Sequence, residues 1–385
     1  MIKAQLPTPD ADALQHSAKL IAHIHSLIAD AGGSISFANY MEAVLYTPGL
    51  GYYSGGAKKF GLAGDFVTAP EISPLFAQTM ARQVAEVLNI TQGDILELGA
   101  GTGRLACDLL LSLQALDKLP ARYYILEVSA DLRAVQQSSV VQRLSPELAS
   151  IVCWLDTLPA KFTGVVLGNE VLDALPVNIV HQTEQGLMER TVVSVSDGFG
   201  WSESVANVRL SESGEPLNLP VDYITEINLA ASGLIASLAA MLTQGLILLV
   251  DYGFSRQEYY HPQRSQGTLM CHYRHYAHGD PFLYPGLQDV TAHLDFTAIA
   301  EAAAANDLEL AGYCSQAQFL INCGITDILA EVSPHDVASY MPLASQAQKL
   351  LSPAEMGELF KVIALTKTYE HPLTGFSRGD KRYTL

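Results

Sequence analysis

Two rhythms of apolar residues run along this chain. The runs DILELG (94–99), RYYILEV (122–128), SIVCWL (150–155) and GVVLGNE (164–170) have the length and near-continuous apolar character of strands buried on both faces. The sequence between them repeats apolar positions at helical spacing and predicts helices near 101–115 and 129–143. A further helix over 222–243 leads into a strand at 246–252 (LILLVDY), and strands at 308–314 (LELAGYC) and 360–367 (FKVIALTK) flank mostly helical sequence. Strands alternating with helices make βαβ units, so these seven strands predict an α/β fold around a mostly parallel sheet.

Three regions break the rhythm. Residues 14–46 are helical in pattern, with a break at DAGGS (30–34). Residues 47–75 are rich in Gly and Pro and read as a long functional loop, which Tyr52, Tyr53, Phe60 and Phe66 argue is ordered; an amphipathic helix over 75–88 follows. Residues 176–221 form a β-rich insertion, and residues 254–295, full of Tyr, His, Gly and Pro, form a second. The predicted organisation is an N-terminal helical cap over 1–90, core segments at 91–175, 222–253 and 296–385, and the two insertions between them.

The apolar stretch GLIASLAAMLTQGLILLV (233–250) has nearly the length of a membrane span. Gln244 and Gly245 split it into a helix end and a short buried strand, and each half is too short for the roughly 20 helical residues a bilayer needs. Composition narrows the classes further. The chain has 385 residues, 49% of them hydrophobic, and a formal net charge of −18 from 40 acidic and 22 basic side chains. That charge opposes nucleic-acid binding, which rests on Lys and Arg counter-charges. It suits a cationic partner, such as an arginine-bearing protein, or serves solubility alone. Five cysteines without a Cys-x-x-Cys pair point to reduced thiols in the cytoplasm. The first 20 residues lack the apolar core of a signal peptide and the arginine bias of a mitochondrial transit peptide.

Candidate chemistry begins at Gly99, Gly101 and Gly103, directly after the first predicted core strand. Such a loop lets backbone approach a ligand without a Cβ in the way. A nucleoside-triphosphate loop needs Lys and then Ser or Thr after its last glycine, whereas Arg104 and Leu105 follow here. A dinucleotide fingerprint places its third glycine where this chain has Arg104, which weakens that reading without removing it. S-adenosylmethionine has no phosphates and carries a sulfonium and an ammonium. Glu97 before the glycines suits the ammonium, Glu127 after the second strand suits the ribose hydroxyls, and Asp156 after the third suits the adenine amino group. The three acids end successive strands and so face one crevice.

Several segments also resemble a known family. ILELGAGTGRL (95–105) resembles class I methyltransferases. YTPGLGYYSGGAKKFGLAGDFVTAPEISPLF (46–76), GNEVLDALPV (168–177), GTLMCHYRHYAHGDPF (267–282) and YPGLQDVTAHLDF (284–296) resemble the MidA-like family, which includes the mitochondrial complex I assembly-factor protein arginine methyltransferases. The resemblance runs nearly the full length. It implies a Rossmann-like sheet and S-adenosylmethionine as cofactor. It further implies symmetric dimethylation of an arginine on a subunit of the respiratory NADH–quinone oxidoreductase or a bacterial counterpart. Without a transit peptide the chain falls on the bacterial side of the family.

Class I methyltransferases place acceptor-binding groups after the fourth strand, where this chain has Asn169, Glu170 and Asp173. Carboxylates can pair with a guanidinium in bidentate fashion and orient it. The alternative is that Asp173 caps a helix and Glu170 is solvated, while Asn169 touches the cofactor or fixes the loop. In GDFVTAPE (64–71), Phe66 is expected to close over the adenosine and Thr68 to bind the methionine carboxylate, with Asp65 and Glu71 as turn or helix-start residues. In DVTAHLDF (289–296), His293 beside Asp289 and Asp295 is either a proton acceptor or part of a structural hydrogen-bond cluster. His272, His275 and His278, with Cys271, lie in surroundings that argue against a helix and against zinc. A small-molecule N- or O-methyltransferase and a non-catalytic assembly factor that holds the cofactor stand as alternatives.

Overall fold

The computed structural model describes residues 6–55 and 68–385. The chain divides into two compact units, each assembled from separate stretches of sequence.

The α/β unit takes residues 67–172, 232–255 and 295–385. The main strands of its sheet are β1 (Asp94–Leu98), β2 (Tyr123–Leu126), β3 (Val152–Leu155), β4 (Phe162–Asn169), β5 (Leu242–Phe254), β6 (Glu309–Ser315) and β7 (Phe360–Lys367). The spatial order is β3-β2-β1-β4-β5-β7-β6. Strands β1 to β5 are mutually parallel, and β7 runs antiparallel between β5 and β6. The order reverses between β1 and β4, the switch point where sheets of this kind bind ligands beyond the strand C-termini. Helix α1 (Pro74–Thr91) starts at the Ser73 cap and buries Leu75, Phe76, Met80, Val84, Val87 and Leu88 at helical spacing. Helix α2 (Arg104–Ala115) follows β1, and α3 (Ala130–Arg143), capped by the Ser129 hydroxyl, follows β2. Ile95, Val165, Leu167, Leu246, Leu248 and Val362 from the sheet share one core with Leu105 and Leu109 of α2.

Helix α4 (Leu229–Met241) ends where β5 begins, so the apolar stretch 233–250 is the end of a helix followed by a central strand. Among the described residues no helix is long and apolar enough to cross a membrane. The helix expected over 222–243 starts late. Tyr223–Ile227 is a strand paired with Asn178–Thr183, because the alternating, β-branched YITEI segment fits a pleated, half-buried surface better than a helix.

The accessory unit takes residues 1–66, 173–231 and 256–294. It holds helices Ala11–Asp30 and Phe37–Tyr46 and an antiparallel sheet of Ser34–Ser36, Asn178–Thr183, Gly186–Val195, Gly198–Val205 and Tyr223–Ile227. A smaller sheet joins Met270–Tyr273, Tyr276–His278 and Asp289–Thr291. Leu20, Ile24, Met41, Ile179, Val192, Cys271 and Val290 fall in one buried cluster, so the N-terminal region and both insertions share a core.

Candidate functional site

The loop after β1 is shaped by its glycines. Gly99, Gly101 and Gly103 have φ of 58°, 54° and 79°, the left-handed region that favours glycine. At Gly103 a side chain would also be crowded, since an added Cβ would lie 3.2 Å from Cα of Gln136 on α3. The Thr102 hydroxyl donates to the Glu71 carboxylate. Glu71 sits in the short helix Ala69–Ile72, whose N-cap Thr68 makes no side-chain capping bond. Glu71 thus lies in the first turn of this short helix, ahead of α1, and ties the segment after residue 67 to the glycine loop. Phe66 and Asp65 lie outside the described residues. Arg104, which holds the third fingerprint position, is paired with Asp108 at 2.7 Å along α2.

Two of the three predicted acids are buried beside this loop. Glu97 is 3% exposed and accepts from the Tyr123 hydroxyl at 2.7 Å. Burial, reinforced by the nearby Glu127 charge and opposed by the Tyr123 hydrogen bond, raises its carboxyl to about 7. Glu127 follows β2, and its two oxygens accept from the Ser129 backbone N–H at 2.9 Å and the Gln136 amide at 2.8 Å. Asp156 is placed differently. Its side chain is 85% exposed and pairs with Arg133 of α3 at 2.5 Å.

A second cluster sits where β4 ends. Glu170 has φ of 54°, unusual for a residue other than glycine, and its N–H donates to Val250 O at 2.8 Å. The buried Asp251 of β5 accepts from Val171 N at 3.2 Å, Leu172 N at 2.9 Å and Tyr252 N at 2.9 Å, and so fixes the turn that carries Glu170. Asn169 donates to the Glu170 carboxylate at 3.1 Å, while its own buried Oδ1 has no hydrogen-bond partner among the described residues. A buried acceptor in that state is suited to a ligand's donor.

Asp173 and His293 belong to the accessory unit, and Asp295 to the α/β unit. Asp173 is 5% exposed and lies in a turn; no helix begins there, which removes the capping alternative. Nearby, the Tyr53 hydroxyl donates to both Asp289 oxygens at 3.1 Å, and its ring stacks on Tyr46 at 5.5 Å. Burial first, then the Asp289, Tyr46 and Asp173 charges, holds the Tyr53 phenol well above its ordinary range. Burial pushes the His293 imidazole down to about 4, and its backbone N–H donates to Thr268 Oγ1 at 3.1 Å. Asp295 is the N-cap of the helix Phe296–Ala304, accepting from Thr297 N at 3.0 Å and Ala298 N at 3.3 Å. The His-rich run is a β-hairpin turning at Arg274 and His275, with Cys271 and Tyr273 buried. Among the described residues no three His, Cys, Asp or Glu side chains group as metal ligands.

Sequence reading missed the residues that hold the site in shape: Tyr123, Gln136, Trp154 and Asp251. Two left a trace. Gln136 lies four residues before Val140 on the buried face of α3, and Asp251 closes the apolar run LILLV.

Sheet order, glycine loop and buried acids together define a class I methyltransferase. Comparison with known proteins agrees. Residues 79–314 match the family described as "Putative S-adenosyl-L-methionine-dependent methyltransferase", and the chain belongs to that family. A crystal structure of a Burkholderia thailandensis protein bound to S-adenosyl-homocysteine is 50% identical, with a TM-score of 0.95 over 99% of this chain and 100% of that one. The mitochondrial protein arginine methyltransferase NDUFAF7 homolog of Drosophila melanogaster is 28% identical over 90% of this chain and 86% of its own length. NDUFAF7 of Danio rerio is 27% identical over 91% and 87%. The protein is an S-adenosylmethionine-dependent methyltransferase related to these arginine methyltransferases.

Proposed function

We propose that this protein methylates arginine on a protein substrate in the cytoplasm. The observation that carries the reading is Glu170, an acid held in a left-handed backbone at the C-terminal end of β4, in the same unit as the glycine loop. A guanidinium keeps its charge at neutral pH and presents five donors in a plane, which a fixed carboxylate can orient. The acidic chain, at −18, favours approach of a basic partner. The named function of the Drosophila and Danio relatives supports the same substrate class. A subunit of a bacterial NADH–quinone oxidoreductase is the target the family resemblance suggests.

In this reading Glu97 pairs with the ammonium of the cofactor, Glu127 takes the ribose hydroxyls, and Asp156, exposed and paired with Arg133 in the free chain, takes the adenine amino group. Gly99, Gly101 and Gly103 admit the backbone to the ligand. Thr68 and Asn169 bind polar groups of the cofactor, and Phe66 covers it. The bound cofactor supplies an electrophilic methyl group. Glu170 and Asp173 orient the guanidinium so that one nitrogen faces that methyl, and orientation is the larger part of what the protein adds. The reaction releases one proton. His293 is the candidate acceptor for it, a weak base because burial holds its imidazole near 4, so that it passes the proton on readily; Asp295 is the neighbouring acid.

The test is intact-mass analysis of the proteome from cells with and without this chain, followed by methyl transfer to the identified acceptor in vitro. One methyl or more on an arginine, lost with Glu170→Ala while S-adenosyl-homocysteine still binds, supports the reading. Methylation of a small molecule, or an unchanged rate in Glu170→Ala, sinks it.

A further inference from the structure

We propose that Gln136 is a positioning residue for the cofactor: its single buried amide sets the orientation of Glu127 and the height of the glycine loop at once. This rests on the reading that Glu127 holds the ribose hydroxyls.

The geometry is closed on itself. Gln136 is fully buried on α3. Its Nε2 donates to Glu127 Oε2 at 2.8 Å and to the Gly101 carbonyl at 3.1 Å. Its Oε1 accepts from the indole N–H of Trp154 on β3 at 2.9 Å. The chemistry of the partners leaves one assignment for the amide. An indole N–H only donates, so the atom facing it is the oxygen. A carboxylate and a carbonyl only accept, so the atom facing them is the NH2 group, and both of its hydrogens are used. Trp154 therefore acts as a lock that prevents the amide from turning over.

What the lock controls is the ligand side. Glu127 accepts from the Ser129 N–H through one oxygen and from Gln136 through the other, which fixes the plane of the carboxylate. Gly101 is the middle glycine of the loop, with a left-handed backbone, and Gln136 holds its carbonyl. Gly103 lets α3 come close enough for this, since a Cβ there would meet the Gln136 backbone at 3.2 Å. A vicinal diol needs a carboxylate in a defined plane, and the loop must keep its distance from the nucleoside. One amide serves both needs.

The experiment measures binding of S-adenosyl-homocysteine and its 2′-deoxy analogue by calorimetry to the full chain and to Gln136→Leu, Trp154→Phe and Glu127→Gln. Melting curves of the free proteins are recorded alongside. Gln136→Leu is expected to weaken S-adenosyl-homocysteine about tenfold or more, the scale of a lost hydrogen bond to a charged group. It should weaken the deoxy analogue clearly less, because that ligand asks less of Glu127. Trp154→Phe, which removes only the lock, should show the same ligand difference at smaller size, and it serves if Gln136→Leu does not fold. Equal losses for both ligands in both variants, or no loss, overturn the proposal. Glu127→Gln reports separately on the ribose reading: an unchanged preference between the two ligands would remove Glu127 from the ribose whatever Gln136 does.

Discussion

Tyr123 donates its phenolic hydrogen to Glu97 at 2.7 Å, and both side chains are buried beside the glycine loop. One hydrogen bond does not offset the loss of water around a carboxylate, so the Glu97 carboxyl rises from 4.5 to about 7. In the folded free chain this group keeps a proton that the unfolded chain has already released. Its contribution to stability is therefore full below about pH 4.5 and is lost as pH rises through about 7. The ionised buried acid costs up to about 3 kcal/mol. Glu97→Gln is expected to raise the melting temperature of the free protein at pH 8 and to weaken S-adenosyl-homocysteine binding. A lower melting temperature at pH 8 would contradict this.

The same acid predicts proton release on binding. An ammonium placed against Glu97 favours its ionised form, so at pH 6.5 cofactor binding should expel a fraction of a proton. Calorimetry in two buffers of different ionisation enthalpy reads this directly. Heats that do not depend on the buffer would count against Glu97 as the ammonium partner.

Asp251 holds three backbone N–H groups through one carboxylate, two of them in the turn that carries Glu170. Asp251→Ala orphans all three and is expected to destabilise by about 3–5 kcal/mol. Asp251→Asn keeps an acceptor and should lose less. Its methyl-transfer rate should nonetheless fall, because Glu170 is no longer held in its left-handed backbone. Urea denaturation and single-turnover rates of the Asn variant separate the two effects, and an unchanged rate would show that the turn does not need this anchor.

For Asp295 the observed bonds are those of a helix cap. Asn caps as well as Asp, so Asp295→Asn should leave stability nearly unchanged, and Asp295→Ala should cost about 1 kcal/mol. If capping is the whole role, kcat in Asp295→Asn matches the parent. A large drop in kcat at unchanged melting temperature would return Asp295 to the chemistry.

Glu226 in the accessory unit accepts from Tyr259 OH at 2.9 Å, from Thr268 through both its N–H and its hydroxyl, and from Leu269 N at 3.0 Å. Thr268 in turn accepts from the N–H of His293. Glu226→Ala leaves these donors buried and is expected to destabilise by about 3–5 kcal/mol. Glu226→Gln, which retains an acceptor, should lose less. A change under 1 kcal/mol in the Ala variant, read from chemical denaturation, would show that water replaces the carboxylate there.

The sheet was legible in the sequence because parallel strands buried on both faces write themselves as short apolar runs, each followed by a helical pattern. The runs at 94–99, 122–128, 150–155 and 164–170 correspond to β1 to β4 within a few residues. The glycine loop was legible for a related reason: positive φ at alternate residues restricts the sequence to glycine. Tyr223–Ile227 was not, because its five residues run directly into the apolar helical pattern of Leu229–Met241 and were read as part of it; the strand shows only in its pairing with Asn178–Thr183.

By itself, then, the chain's order of residues determined which stretches are strands of the α/β sheet, where backbone must be bare and which acids end those strands, since each of these is a local constraint. Tertiary structure alone decided that stretches more than a hundred residues apart build one accessory core. It also decided that Gln136 meets Glu127, Gly101 and Trp154, and that Asp156 turns outward to Arg133 while Glu97 stays buried. Hydrogen bonds and burial depend on what other segments bring alongside, and no single stretch carries that information.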